Sequence, residues 1–151
     1  MQYDNPRSGF RSSGYCRSGH HVLDNGQNTT MSTNNTGWIG VDLDGTLAKY
    51  DGWKGSSHIG EPIKLMVDRV KTWIDNGVDV RIVTARVSQQ ALELNKAYRH
   101  EVESVIARWC ILHIGRVLTV TSEKDLNMIE LWDDRAVQVI PNTGIRVDGN
   151  R

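Results

Sequence analysis

The sequence predicts an α/β fold with a mainly parallel sheet. Three observations lead there. Short apolar runs bounded by glycine read as strands, amphipathic stretches at helical spacing lie between them, and the unusual polar residues come directly after the apolar runs. In an open sheet of this kind the functional crevice lies outside the carboxyl ends of the strands, so the third observation bears on a site as well as on a fold.

The first strand is WIGVDL (38–43), held between Gly37 and Gly45. EPIKLMVDRVKTWIDNG (61–77) reads as an amphipathic helix, with Met66, Val70, Trp73 and Ile74 on one side, Pro62 suited to its first turn and Gly77 to its stop. VDVRIVT (78–84) is the second strand. SQQALELNKAYRHEVESVIARWCILHIG (88–115) is a long helix or a helix pair. Ser88 is its candidate N-cap, and Tyr98, Val102, Val105, Ile106 and Trp109 form an apolar stripe. Short strands follow at 117–121 (VLTVT), 128–133 (MIELWD) and 136–140 (AVQVI), with IRV (145–147) as a further candidate.

Residues 1–37 read differently. Gly, Ser, Asn and Thr fill 19 of these 37 positions and the apolar residues follow no period, so the segment has too little to bury against its chain entropy. We expect a disordered polar leader over 1–37 and one folded domain over 38–151, with Met31 an alternative start of translation. Cys16–His21 (CRSGHH) has ligating side chains but no second cluster to complete a metal site.

Lys+Arg and Asp+Glu number 18 each, so no strong field draws a nucleic-acid backbone or an anionic membrane. Two cysteines, Cys16 and Cys110, do not make a disulfide framework. No run approaches the roughly 18 apolar residues of a membrane span, and the beginning of the chain lacks the apolar core of a signal peptide. The expected compartment is the cytoplasm, where the N-x-T sequences at Asn28 and Asn34 carry no glycan.

The chemistry gathers at one predicted sheet edge. Asp42 and Asp44 end the first strand, Thr84 the second, and Asp133 and Asp134 a later one, while Lys124 lies in the loop after VLTVT. Carboxylates with no His or Cys cluster select a hard cation such as Mg²⁺ over zinc. Thr84 and Lys124 suit an anionic group, and cation, clamp and free carboxylate together are the tools of phosphoryl transfer. A calcium loop fails: counted from Asp42, its sixth position is Leu47 and its twelfth Trp53.

DLDGTL (42–47) resembles the first motif, DxDGT, of the haloacid dehalogenase-like (HAD) superfamily of phosphohydrolases. RIVTAR (81–86) is similar to the second, Lys124 in SEKD to the third, and ELWDDR (130–135) to the fourth. The four stand in the family's order over 42–134. The resemblance implies a Rossmann-like three-layer α/β/α sandwich and a Mg²⁺-dependent phosphatase. Asp42 would attack phosphorus and become an aspartyl-phosphate, and Asp44 would serve as acid and then base. Mg²⁺ would be held by Asp42, the Asp44 backbone carbonyl and one of Asp133 and Asp134, with Thr84 and Lys124 on the phosphoryl oxygens. The acid at Asp44 points to the phosphatase and phosphomutase branches.

Only residues 48–61 separate DGTL from the first helix, a flap with no room for a cap domain. The resemblance then implies a cap-less member with an open site, suited to a bulky substrate or to closure by another subunit of a homo-oligomer. The expected partner is a small-molecule phosphomonoester, with a nucleotide or a nucleic-acid end as further options. Trp53 in the flap suits a base or sugar, with an ordinary loop role fitting it equally, and Lys54 or His58 suits a second anionic group. Arg86 suits either the phosphate or a neighbouring acid, and Asp133 or Asp134 also suits a turn cap. The alternative function is a noncatalytic phosphate- or partner-binding module on the same fold. A receiver-like signalling domain fits less well, since its paired acids follow the first strand without the single-Leu spacing of Asp42 and Asp44.

Overall fold

The computed structural model describes residues 37–149. The expected leader, with its Cys16–His21 stretch, lies outside them except for Gly37. The elements are β1 (Trp38–Asp42), α1 (Lys64–Asp75), β2 (Asp79–Val83), α2 (Gln89–Asn95), α3 (Arg99–His113), β3 (Thr119–Thr121) and β4 (Met128–Trp132). The sheet is four-stranded and parallel throughout, in the order β3-β2-β1-β4. This is a small α/β fold. Among the described residues no helix is long and apolar enough to cross a membrane.

Strand alternation decides what each face carries. Ile39 and Val41 of β1 pair with Val80 and Ile82 of β2, and all four enter one buried cluster. The same cluster takes Met66, Val67 and Val70 from α1 and Val102, Ile106, Trp109 and Cys110 from α3, with Leu92 of α2 packed against it. The three helices therefore cover one face of the sheet. That follows from the strand order: β1, β2 and β3 step in one direction, and right-handed crossovers in one direction leave their helices on one side. Removing Val41 or Ile82 from water stabilises the fold by roughly 2 kcal/mol each. On the same face Trp132 of β4 meets Trp73 of α1 edge to face, ring centroids 5.3 Å apart, with the Arg69 guanidinium 4.5 Å from the Trp132 ring.

Several elements are shorter than the sequence suggests. The 88–115 stretch is a pair of helices, broken where Lys96 takes a left-handed conformation (φ 50°). Ser88 caps α2, its hydroxyl accepting from Ala91 N–H at 3.3 Å. The strand expected at 117–121 keeps only Thr119–Thr121. The one expected at 136–140 does not join the sheet. After Asp133 and Asp134 the chain turns away, and 136–140 meets 145–147 in a small hairpin instead, with one bridge, Val139 to Arg146. Ile140 N–H donates to Ile145 C=O at 2.7 Å and Val147 N–H to Gln138 C=O at 2.9 Å.

Candidate functional site

Parallel strands bring their carboxyl ends to one edge, and the residues there belong to all four. Asp42 is the last residue of β1, Thr84 follows β2, Ser122 follows β3, and Asp133 and Asp134 follow β4. All five line one cavity of about 950 Å³, together with Asp44, Arg86 and Arg135. Val41 pairs with Trp132, so Asp133 continues β4 opposite Asp42.

Backbone geometry holds the acidic loops together. Gly45 has φ +101°, and a Cβ there would lie 2.6 Å from Asp134 Oδ2. Glycine thus meets two needs: a left-handed turn after β1 and room for the Asp134 carboxylate. Thr46 next to it accepts a hydrogen bond at its hydroxyl from Asp134 N–H at 2.9 Å. The sequence reading gave Thr46 no role, because its partner is 88 residues away. Asp133 accepts from Arg135 N–H at 2.7 Å, so it does cap the following turn while lining the cavity.

The electrostatics are uneven. Burial, reinforced by the charges of Asp133, Asp44 and Asp134, pushes the Asp42 carboxyl from 3.8 up to about 7, against the hydrogen bond from Leu43 N–H. Asp44 is differently placed. Its two oxygens take Arg86 Nε at 2.6 Å and Nη2 at 2.7 Å, a two-point pair with Arg86 almost fully enclosed. Of the two roles open to Arg86, pairing with a neighbouring acid is the one observed. Thr84 is buried at the start of a short 3-10 turn (Ala85–Val87), its hydroxyl accepting from Arg86 N–H at 3.3 Å.

Lys124 stands apart from this group. It is exposed and is not among the residues lining the cavity. Residues 122–127 must carry the chain from the carboxyl end of β3 back to the start of β4, past β2 and β1. Asp125 is fastened there: it accepts from Trp38 Nε1 at 2.8 Å and from Asn127 N–H at 2.7 Å. Trp38 begins β1 and Asp42 ends it, a separation of about 13 Å along the strand. Among the described residues, Arg86 and Arg135 are the cationic residues that line the cavity.

The flap is closed at its base by an Ala48–Pro62 bridge and by Lys49 N–H donating to Glu61 C=O at 2.8 Å. Gly60 permits this closure, since a Cβ there would sit 2.1 Å from the Lys49 carbonyl oxygen. Trp109 Nε1 of α3 donates to Gly60 C=O at 2.9 Å, so this core residue also ties down the flap. Trp53 and Tyr50 line the cavity, and the Arg86 guanidinium lies 4.9 Å from the Trp53 ring. Lys54 does not line it and pairs with Asp51 at 2.6 Å. The sequence reading missed the wall formed by α2: Gln90, Ala91, Leu94 and Asn95. Its signal was present as an uncharged face at spacings of one and four in QQALELN.

The donor set suits a hard divalent cation: crowded carboxylates, with neither His nor Cys among the described residues that line the cavity. Among the described residues no three side chains of His, Cys, Asp or Glu already form a cation cage. A site of two carboxylates, a backbone carbonyl and waters needs no such trio, and Mg²⁺ keeps several waters in sites of that kind. No family model, curated protein or solved structure matches the chain.

Proposed function

We propose that the chain is a cap-less phosphohydrolase of the HAD-like superfamily, a Mg²⁺-dependent phosphatase acting on a phosphomonoester through an aspartyl-phosphate on Asp42. The observation that carries the reading is the meeting of Asp42, Asp44, Thr84, Asp133 and Asp134 on one cavity at the carboxyl ends of parallel strands. The kinship rests on the four motifs, and the three-layer sandwich belongs to the same proposal. The described helices cover one face of the sheet, and a three-layer sandwich would need a second helical layer on the other.

In this reading Asp42, the Asp44 carbonyl and Asp133 or Asp134 hold Mg²⁺. When bound, the ion offsets charge on the phosphoryl oxygens and on the crowded carboxylates. An Asp42 carboxylate oxygen attacks phosphorus as the ester P–O bond breaks, and Asp44 gives the departing alcohol its proton. Asp44 then takes a proton from water, whose oxygen attacks phosphorus, releasing phosphate and restoring the Asp42 carboxylate. Thr84 offers its hydroxyl and Arg86 its guanidinium to the phosphoryl oxygens. Lys124 reaches that position only if the 122–127 loop moves, so the assignment carried by the third motif rests on the motif alone.

The test is turnover of an aryl phosphate by the purified protein with Mg²⁺ and with EDTA. We expect hydrolysis that needs Mg²⁺ and disappears in Asp42→Asn and Asp44→Asn, and a beryllium fluoride adduct on Asp42. A noncatalytic binding module is the second reading, favoured by one observation: Arg86 occupies both oxygens of Asp44, the group that must exchange a proton. A wild type inert with Mg²⁺ across a broad panel of phosphate esters would select it.

A further inference from the structure

The cavity has two kinds of wall. One is ionic, built by the carboxylates and by Arg86 and Arg135. The other is uncharged and comes from α2 and the flap. It includes Leu94, 82% exposed, and Trp53, 45% exposed. Large apolar side chains scattered over a surface need no explanation, but these two line the same cavity as the carboxylates.

The uncharged wall also carries amides. The Gln90 side-chain amide makes no hydrogen bond with another described residue. Asn95 spends its NH₂ on the Ala91 carbonyl at 2.7 Å, which leaves its oxygen free to accept. One face of the Trp53 indole meets the Arg86 guanidinium, and its exposure leaves ring surface for a second flat group. Arg86 in turn is paired with Asp44, so the indole lies one guanidinium away from the acid. A volume of about 950 Å³ is far more than a phosphate fills and lies within the range of pockets that take whole small molecules.

We propose that the phosphomonoester is a free nucleoside monophosphate, its base stacked on Trp53 beside Leu94 and its polar edge read by the Gln90 and Asn95 amides. A sugar phosphate can offer the indole a C–H face but has no flat apolar ring to lie along both the indole and Leu94, so it gains less from this wall than a base does. A bisphosphate needs a second cationic group away from the carboxylates, and the described residues of the α2 and flap wall carry no charge. A polynucleotide end needs a basic track, whereas the chain has no net charge. The placing of the phosphate end rests on the phosphatase reading; the base subsite rests on the uncharged wall.

The experiment compares the four ribonucleoside 5′-monophosphates with ribose 5-phosphate and a 5′-phosphorylated oligothymidylate, in Mg²⁺. It measures kcat/KM in the wild type and equilibrium dialysis in Asp42→Asn, where the ester survives. We expect at least one mononucleotide to exceed ribose 5-phosphate by about tenfold or more in both, in line with the worth of one base–aromatic stack. Trp53→Ala should bring the mononucleotides down to the level of ribose 5-phosphate measured in the same variant, while Trp53→Phe keeps most of the preference. Equal handling of AMP, GMP, CMP, UMP and ribose 5-phosphate, or a stronger preference for the oligonucleotide, overturns the proposal and leaves the phosphatase reading standing. If no ester is turned over but dialysis shows the Trp53-dependent preference, the phosphatase reading fails and the nucleotide subsite stands.

Discussion

Arg86 and Asp44, 42 residues apart, meet through two parallel hydrogen bonds, Nε to Oδ2 at 2.6 Å and Nη2 to Oδ1 at 2.7 Å. The pair ties the loop after β1 to the turn after β2, and Arg86 is nearly closed to solvent. Breaking such a pair from one side strands the other charge. Arg86→Ala should therefore destabilise the protein by about 3 kcal/mol in urea unfolding. Arg86→Lys keeps the charge but loses the two-point grip, so it should recover only part of the loss. The double variant Arg86→Ala/Asp44→Ala should cost at least about 1 kcal/mol less than the sum of the single changes. Additive losses would mean that the two side chains stabilise the fold independently.

Gly45 makes a second relationship testable. Alanine there must hold φ near +101° and find room within 2.6 Å of Asp134 Oδ2. The backbone strain alone is worth about 1–2 kcal/mol, and the acidic loop must also shift. Gly45→Ala should lower the melting temperature and weaken any Mg²⁺-dependent stabilisation. An unchanged melt and an unchanged Mg²⁺ response would show that the Asp134 loop tolerates displacement.

Cation binding has a readout independent of turnover. A ligand that binds only the folded state at a hundred times its Kd stabilises by about 2.7 kcal/mol. Mg²⁺ should raise the melting temperature of the wild type, and EDTA should reverse it. Asp133 contributes more to the charge crowding at Asp42 than Asp134 does. Asp133→Asn should therefore abolish the Mg²⁺ shift more completely than Asp134→Asn. The reverse order would assign the ion to Asp134.

The α/β class, the parallel sheet and the two loops that follow β1 and β4 were legible because each is a local pattern: an apolar run, then an acid. Asp42, Asp44, Asp133 and Asp134 come to one cavity as the strand order requires. Lys124 lies outside the cavity lining for a reason of chain length. Its loop is too short to linger at the carboxyl edge, since it must return to the start of β4, and Asp125 is pinned to Trp38 on the way. The 136–140 run has strand composition, but composition does not say whether a sheet edge is within reach. It finds only its own continuation at 145–147. The α2 wall escaped because a short uncharged helix face looks the same whether it lines a cavity or faces solvent. The Thr46–Asp134 bond escaped because it joins residues far apart in sequence.

Cys110 offers a test of the core. Burial pushes its thiol from 9.0 up to about 11, partly offset by a backbone hydrogen bond at Leu118. A folded-state value above the unfolded one means that the thiol's contribution to stability is complete below pH 9 and is lost as pH rises toward 11. At pH 8 the thiolate fraction should be about a hundredfold below that of an unperturbed cysteine. In a Cys16→Ser protein, Cys110 should resist a thiol reagent at pH 8 and react at once in guanidinium. Rapid labelling of the folded protein would mean that α3 opens readily.

Asp125 works in the opposite sense. The Trp38 indole N–H, then Asn127 N–H, and more weakly the Arg81 charge, hold its carboxyl below the ordinary value of 3.8. A depressed value gives stability that is present above pH 3.8 and is lost as pH falls through the lowered pKa. The Trp38 ring is buried, so its indole N–H has no ready replacement partner when the carboxylate is removed. Asp125→Ala should thus lower the melting temperature at pH 7, and the gap to the wild type should narrow as pH falls below 3.8. Because Asp125 anchors the 122–127 loop to the start of β1, the same variant frees Lys124 to approach the cavity. If Lys124 serves the phosphoryl group after loop movement, Asp125→Ala should raise kcat/KM for an aryl phosphate, and adding Lys124→Ala should cancel the gain. Unchanged turnover in both variants would leave Arg86 and Arg135 as the cationic side chains of the site.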